Sequence, residues 1–506
     1  MQLTSQQRGF VNAVVNGSGH KCLRARAGTG KTSTILAAVQ DYVKVHPTHE
    51  IAVCAFGKAI QQEIDAKLKK AGIDWKQCSA VTSHSMGFGL VRFVFKGVKV
   101  DNNKVRDILR SRNEPVFSEF FGPIGDLVHL AKLEGFGFFD DAQIGDLHAW
   151  YRMADHYGVN GFDDTSMMDT VINAAQFIYR ASLEKTDVVD FDDMVLFPLV
   201  KGMRVKFGKD LIFVDEAQDT SRARRALVQM FLKPTGRLII VGDDRQAIMG
   251  FAGASADALN EWIDAKQAEV LPLTMTWRCP KAVVAQAQRI VGDIVAADDA
   301  IDGVVSNATE LPVKLEPTDA ILCRNTAPLI TTAYQLIRQG VACKVEGREI
   351  GNGLLRLVDR WKRITTIGAF LAKLEEYKQV ETQKALAKGK DSKVDEITDR
   401  CDTLVAICDA VKRLKGADTL DAVRDFINEL FADNVSEGDH GRPPMLVLCT
   451  YHRSKGREWP RVFLLEHATR SPCPWAKQEW EQRQEANLAY VAITRAQREL
   501  VYVDPQ

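Results

Sequence analysis

The stretch "LRARAGTGKTST", Leu23 to Thr34, decides the fold. A short apolar run leads into it and a helical pattern, Thr32 to Tyr42, follows, so it reads as the turn between a strand and a helix. Holding a phosphate at such a turn takes backbone N–H groups aimed at the oxygens and no Cβ where the chain comes close. Gly28 and Gly30 meet that need. Beside them, Lys31 is expected to reach the β and γ phosphates of a nucleotide and the Thr32 hydroxyl to ligate Mg²⁺, with Ala27 and Thr29 completing the loop. The usual pattern begins with Gly, and here that position is Ala25, at the end of the strand where a methyl is accommodated.

Outward from this turn, up to about Ser85, apolar runs (Cys22 to Ala25, Ile51 to Phe56) alternate with helical stretches such as Lys58 to Lys70. That alternation predicts βαβ units on a parallel sheet. Two further strand-like runs, "LIFVDE" (Leu211 to Glu216) and "RLIIVGDD" (Arg237 to Asp244), end in acids. Ligands of such sheets bind at the carboxyl ends of strands, so Lys31, Asp215 and Asp243 are expected to converge on one crevice. There Asp215 suits Mg²⁺, directly or through water, and Glu216 suits the task of orienting or deprotonating an attacking water.

A chain of 506 residues exceeds the roughly 250 to 300 at which single cores stop growing, which implies several domains. Hydrophobic residues make up 46% and charged residues 26%, the proportions of an ordinary folded protein. Lys plus Arg and Asp plus Glu each total 66, so no global field draws the chain to a polyanion, and any such partner must be held by a local groove. Ten cysteines without a CxxC pair argue against a zinc ribbon or a disulfide framework and fit a reducing compartment. The polar start "MQLTSQQRGF" and the lack of a run of about 18 apolar residues lead us to expect a soluble, cytosolic protein with no membrane partner.

The text from Gly89 to Ala181 is aromatic-rich and helical, and reads as an insertion into the first α/β unit. After Pro280 a second α/β pattern brings "AILCRN" (Ala320 to Asn325) and "MLVLCT" (Met445 to Thr450) as strands, separated by a charged helical block. Within that block "ETQKALAKGKDSKVDEITDR" reads as a solvated helix face or loop.

Taken together, these residues resemble the superfamily 1 DNA helicases of the UvrD, Rep and PcrA type, across nearly the whole chain. "LTSQQRGFV" resembles the Q motif, "ARAGTGKT" motif I, "VCAFGKAI" motif Ia and "TSHS" the DNA-contact motif after it. "VDEAQD" matches motif II, "VGDDRQAIMGFAGA" motif III, "TWRCP" motif IV, "TYHRSKGREW" motif V and "YVAITRA" motif VI. In that family motif I commonly begins with Ala. The short "FGK" of motif Ia looks more like the F-box DNA helicase branch and some phage enzymes.

The resemblance implies an α/β fold of two RecA-like P-loop NTPase domains, parallel sheets flanked by helices, each with a mainly helical insertion. The first domain would comprise 1–88 and 182–280 with insertion 89–181, and the second 281–355 and 440–506 with insertion 356–439. It implies further that Gln7 recognises the adenine edge, Gln246 senses the γ-phosphate and Glu458 contacts the ribose. Arg278 and Arg495 would be arginine fingers from opposite sides of the ATP cleft; a guanidinium fork matches charge spread over γ-phosphoryl oxygens. Trp277 stands where the family stacks a Tyr on adenine, and Ser33 replaces the usual Arg after the P-loop Thr, which loosens base selectivity.

Single-strand binding without sequence preference takes aromatic platforms and phosphate donors. The resemblance puts Phe56, His84 and Phe251 at such platforms or beside them, and adds Lys58, Thr450 and His452 as DNA contacts. Met249 and Ala252 replace an aromatic and an Arg of motif III. The implied activity is ATP-dependent, 3′ to 5′ movement on single-stranded DNA with duplex unwinding, by a monomer that binds single strands and single-strand/duplex junctions and is recruited by replication or repair proteins. Two alternatives are a translocase that strips proteins with little unwinding and a nucleotide-switched nucleic-acid-binding module.

Overall fold

The computed structural model describes residues 3–157, 159, 165–248, 250, 257–339, 341, 343–361, 363–387, 391–431, 445–474, 476 and 479–504. Its chain divides into two compact units between Thr274 and Met275.

The first unit opens with α1 (Ser5–Asn16), started by a capping box in which Thr4 and Gln7 bond each other's backbone N–H. Then come β1 (Lys21–Ala25), α2 (Lys31–Val45), β2 (Ile51–Ala55), α3 (Lys58–Lys70), β3 (Cys78–Thr82) and α4 (Ser83–Val94). A helical segment follows: α5 (Lys104–Arg110), α6 (Pro115–Glu119), α7 (Phe121–Glu134), α8 (Leu147–His156) and α9 (Thr165–Glu184). It is flanked by a strand pair not expected from the sequence, β4 (Lys99–Val100) parallel to β5 (Val188–Val189). After α10 (Phe191–Val200) the sheet resumes with β6 (Lys209–Val214), α11 (Arg222–Met230), β7 (Leu232–Gly242), α12 (Ala258–Lys266) and β8 (Glu269–Leu273).

The six long strands form one sheet in the order β3-β2-β6-β7-β1-β8, and every pairing in it is parallel. Its central strands are apolar on both faces, since helices cover both: β2 and the last four residues of β6 are wholly buried. One face packs Phe10, Ile35, Val39 and Ile64 of the flanking helices. The other packs Met86, Val228 and Trp262. The inserted helices keep a core of their own around Trp150, Tyr179 and Leu127. Lys104 of α5, Lys132 of α7, and Asp190 and Asp193 at the start of α10 form a buried charge network that ties this core to the sheet layer.

The second unit begins with the short parallel pair β9 (Met275–Thr276) and β10 (Val295–Ala296) around α13 (Lys281–Ala287). Its sheet is built from β11 (Val304–Ala308), β12 (Ala320–Cys323), β13 (Cys343–Val345), β14 (Leu446–Thr450), β15 (Trp459–Leu465) and β16 (Ala496–Val503). The order is β11-β16-β15-β12-β14-β13, again with parallel pairings throughout. Helix α14 (Thr326–Arg338) lies between β12 and β13, and α15 (Arg348–Val358), α16 (Ile367–Ala387), α17 (Asp391–Lys415) and α18 (Leu420–Leu430) lie between β13 and β14. Of the charged run 381–400, residues 381–387 fall on α16 and 391–400 on α17. Along α17, Ile397, Cys401, Leu404, Cys408 and Val411 are buried at helical spacing. Asp399 on that helix accepts the N–H groups of Thr326 and Ala327, capping α14. Short α19 (His467–Arg470) and α20 (Glu479–Ile493) complete the unit.

Two parallel α/β sheets with helical covers agree with the fold class read from the sequence. All ten cysteines are buried and free. Among the described residues no helix is long and apolar enough to cross a membrane.

Candidate active site

In the first unit the residues singled out from the sequence stand at the carboxyl ends of parallel strands. The P-loop follows β1, Phe56 follows β2, His84 opens the helix after β3, Asp215 and Glu216 follow β6, and Asp243 follows β7. Gly28 and Gly30 adopt φ of 71° and 83°, the left-handed region that a Cβ disfavours. Gly30 starts the 15-residue helix α2 with no side-chain cap, so the N-terminal N–H groups and the positive end of the helix dipole are offered to an anion. A Cβ on Gly30 would also stand 3.1 Å from Gln7 Nε2. Gln7 is buried and its amide points at the P-loop, 3.4 Å from the Thr29 carbonyl oxygen. The Thr29 hydroxyl closes the loop on the Arg26 carbonyl oxygen at 2.7 Å.

Lys31 lies within 3.0 Å of Glu216. Burial works against its charge, but Glu216, Asp215 and Asp243 together hold its pKa above the ordinary value. Asp215 is buried; desolvation first, and the charge of Glu216 second, push its pKa up to about 7, against the pull of Lys31. Glu216 itself takes a left-handed backbone, φ 50°, which is costly for a residue with a Cβ and is the kind of strain that collects at functional sites.

The remaining polar groups link up. The Gln218 amide donates to Glu216, and its oxygen accepts the N–H of Asp243 at 3.1 Å. The Gln246 amide donates to Asp243 at 2.7 Å, and Arg26 bridges Asp243 and Asp244 at 3.1 and 2.8 Å. One continuous chain therefore joins the turns after β1, β6 and β7. Arg26 and Gln218 stand inside the quoted motifs but had been given no task. Their signal was present, since a buried Arg or Gln next to a P-loop or an acidic strand end needs partners.

On the same edge of the sheet a second cluster forms. The Arg224 guanidinium lies 5.6 Å from the centre of the Phe56 ring, and Arg224 Nη2 lies 3.4 Å from His84 Nε2. Phe191, the exposed first residue of α10, sets its ring 5.7 Å from His84, edge to face. Burial and the charge of Arg224 lower the His84 pKa to about 4, so this imidazole is neutral at pH 7. Lys58 is exposed at the start of α3. Phe251, Met249 and Ala252 lie outside the described residues. Phe191 and Arg224 are the members that sequence reasoning missed; an exposed Phe next to a run of acids, "DFDD", gave no local hint of its neighbours.

In the second unit Arg278 donates through Nε to Glu458 and lies 3.5 Å from the Thr494 carbonyl oxygen. Arg495 is fully buried and held by three acceptors: the carbonyl oxygens of Val491 at 2.7 Å and Arg457 at 3.0 Å, and the Thr494 hydroxyl at 3.2 Å. Desolvation, helped by the nearby positive Arg278, lowers its pKa to about 9. Thr276 hydrogen-bonds Arg278 and the β9–β10 pair anchors the segment, so both arginines belong to the second compact unit. Trp277 is 50% exposed, a ring available for stacking rather than core packing. Thr450 ends β14, and His452 follows it with a pKa brought down to about 3 by burial, Arg324 and Lys455.

Residues 3–267, more than half of the chain, match the UvrD/REP helicase N-terminal domain family. The chain belongs to the UvrD/REP helicase family. Residues 445–503 match the UvrD-like helicase C-terminal domain. Among curated relatives, F-box DNA helicase protein 1 of Schizosaccharomyces pombe is 24% identical over 533 aligned residues, which cover 99% of this chain and 57% of that protein. The ATP-dependent DNA helicase PcrA of Staphylococcus aureus is 25% identical over 309 residues, 55% of this chain and 39% of that protein. Its Staphylococcus epidermidis counterpart is 26% identical over 316 residues. The chain thus spans about half the length of the curated relatives it matches.

For a UvrD/REP-family chain the implied ligands are ATP and Mg²⁺, and the residues fit both. An uncapped helix N-terminus with two left-handed glycines suits a polyphosphate. A buried carboxylate, Asp215, whose pKa is raised by desolvation and by the neighbouring charge of Glu216, suits a divalent cation that also takes phosphate and water oxygens.

Proposed function

We propose that this chain is an ATP-driven DNA helicase that moves 3′ to 5′ along single-stranded DNA and opens duplex as it goes. The observation that carries the reading is the juxtaposition in the first unit: a hydrogen-bonded chain from Lys31 to Gln246 beside the aromatic and cationic cluster of Phe56, His84, Phe191 and Arg224. One set suits a nucleotide and the other an unstacked strand, and both stand at the carboxyl edge of the same sheet.

In this reading Gln7 reads the adenine edge and Trp277 stacks on the base, with Glu458 on the ribose. The N–H groups of the P-loop and Lys31 hold the phosphates. Thr32 and Asp215 would hold Mg²⁺, which would supply charge neutralisation to the polyphosphate. Glu216 orients a water and accepts its proton as the water oxygen bonds to the γ phosphorus, while the bond to the β–γ bridging oxygen breaks and ADP leaves with the electron pair. Arg278 and Arg495 meet the charge on the transferring group, and Gln246 senses the γ-phosphate, its amide linked through Asp243 and Gln218 to Glu216. Bases stacked on Phe56 and Phe191 are each held by about 1 to 3 kcal/mol, enough to define steps without reading sequence. Phe251, Lys58, Thr450 and His452 extend the track.

The test is ATP hydrolysis and strand separation on 3′-tailed DNA, 5′-tailed DNA and RNA in parallel. Unwinding of the 3′-tailed DNA alone is expected. Unwinding of the 5′-tailed substrate instead would overturn the direction, and displacement of a bound protein without unwinding would leave a translocase.

A further inference from the structure

Helices α4 and α10 lie side by side and run the same way. His84 meets Phe191 at their N-terminal ends, and Gly87 packs so tightly on α10 that a Cβ there would stand 1.9 Å from the Met194 carbonyl oxygen. Past the middle, Phe95 meets Phe197, and beyond the C-terminal ends Lys206 lies 4.8 Å from the centre of the Phe93 ring. The N-terminal ends carry the aromatic cluster already described. The C-terminal ends carry something else.

There, three large apolar side chains face solvent: Phe93 at 67%, Val94 at 50% and Phe207 at 77% exposure. Around them stand Arg92, Lys96, Lys201, Arg204 and Lys206, all exposed. Among the described residues none of the five finds an ion-pair partner, and the neighbours of three are rings: Arg92 on Phe88, Lys201 on Phe197 and Lys206 on Phe93. In a chain whose positive and negative residues balance at 66 each, five unpaired cations in two short segments, 92–96 and 201–206, are a local excess. Helix C-termini favour cations, which accounts for Arg92 and Lys201. That effect gives no reason for exposed phenylalanines among them.

We infer that this surface is a second binding site for single-stranded nucleic acid, separate from the track at the other end of the same two helices. Cations bind the phosphates and exposed rings take unstacked bases, the pairing of features used for strands held without sequence preference. The ring of Phe93 is nine residues along α4 from His84, about 14 Å by helix rise, so the two sites are distinct yet within reach of one strand. The ligand is either the flank of the strand in the track or the strand that unwinding displaces. This inference rests on the proposed action on nucleic acid.

The experiment compares the unaltered chain with Lys96→Gln/Arg204→Gln/Lys206→Gln and, separately, with Phe93→Ser/Phe207→Ser. These positions are exposed and their loss leaves the core intact. Binding of labelled oligothymidine is measured with a short strand that fills only the track, with a several-fold longer one and with a fork, across a salt series. The triple variant is expected to bind the long strand or the fork about tenfold more weakly, with a salt slope shallower by about 2, given about 0.7 per phosphate contact on single strands. Its ATP hydrolysis stimulated by the short strand should not change. Loss on the long strand identifies the flank as ligand; loss on the fork alone identifies the displaced strand. Unchanged binding of both substrates overturns the inference. So does a result in which polyglutamate competes as well as DNA and the Phe93→Ser/Phe207→Ser variant binds normally, which would assign the surface to an acidic protein. Absence of any stimulation by the short strand in the unaltered chain would count against the proposed function instead.

Discussion

The Lys31 ammonium lies between the two carboxylate oxygens of Glu216, 3.0 Å from one and 3.1 Å from the other. A phosphate that takes Lys31 must therefore compete with Glu216, and the two candidate functions, phosphate binding and water activation, are linked through one ion pair. Glu216→Gln removes the base and the competing charge together. It is expected to lower ATP hydrolysis by about 10² to 10⁴ while nucleotide binding persists or tightens. Lys31→Ala should lose both. Turnover and a nucleotide titration on the two variants separate these outcomes, and normal hydrolysis by Glu216→Gln would remove it from the proposed role.

Arg278 and Arg495 are held differently, and their variants should differ accordingly. Arg278 is tied mainly to Glu458, so Arg278→Ala is expected to lower hydrolysis by about 10³ or more with little change in folding. Arg495 donates to three acceptors inside the second unit, so its replacement by Ala also leaves buried acceptors unpaired. Arg495→Lys should recover much of the stability and little of the rate, because an ammonium lacks the fork. Thermal unfolding measured alongside turnover reads the two effects apart.

Much of this was legible in the sequence because its signals are local. Apolar runs marked β1, β2, β6 and β7, the last two ending in acids, and the spacing of Gly28, Gly30 and Lys31 marked the P-loop. What escaped depends on contacts between distant segments. Lys104 and Lys132 look like ordinary surface lysines, yet their partners Asp193 and Asp190 are 89 and 58 residues away. The role of Phe191 appears only when α10 is laid against α4. The charged text of α17 hid an apolar stripe because its outward face is so rich in Asp, Lys and Arg. Arg278 precedes the second α/β pattern, so reading along the chain put it with the first domain, whereas its hydrogen bonds lie with the second unit.

The network at the base of the inserted helices yields a stability prediction. Lys132 contacts Asp190 at 2.6 Å and Asp193 at 2.7 Å, and Lys104 contacts Asp193 at 2.6 Å, with both lysine side chains and that of Asp193 fully buried. Removing one cation strands carboxylates in a medium that solvates them poorly. Lys132→Met is expected to cost about 3 to 5 kcal/mol in chemical denaturation. Adding Asp190→Asn should recover part of the loss, since the charge left over is then smaller. Equal stability of Lys132→Met and the unaltered chain would mean that the network does not anchor the insertion.

The neighbouring pair His129–Asp192, 2.6 Å apart, should make stability depend on pH in a defined direction. Burial lowers the His129 pKa and Lys132 adds to that, but the hydrogen bond and charge of Asp192, with Asp126, outweigh both and leave it above 6.5. A histidine whose folded pKa exceeds its unfolded value binds more protons when folded, so its contribution is complete below about pH 6.5 and fades as pH rises through the folded value. Asp192 moves the other way: burial raises its pKa, yet His129, Lys132 and Arg224 hold it below 3.8. Its contribution is present above that value and fades only as pH falls beneath it. Between pH 4.5 and 6.5 both partners are charged and the pair is at full strength. The His129→Asn variant should therefore melt below the unaltered chain by the largest margin in that window, with the gap narrowing toward pH 8. Because His129 is half exposed, the margin is that of a surface pair, under about 1 kcal/mol. Paired melting curves at pH 5.5 and pH 8 check it, and a gap that widens at the higher pH would mean that His129 is neutral in the folded chain.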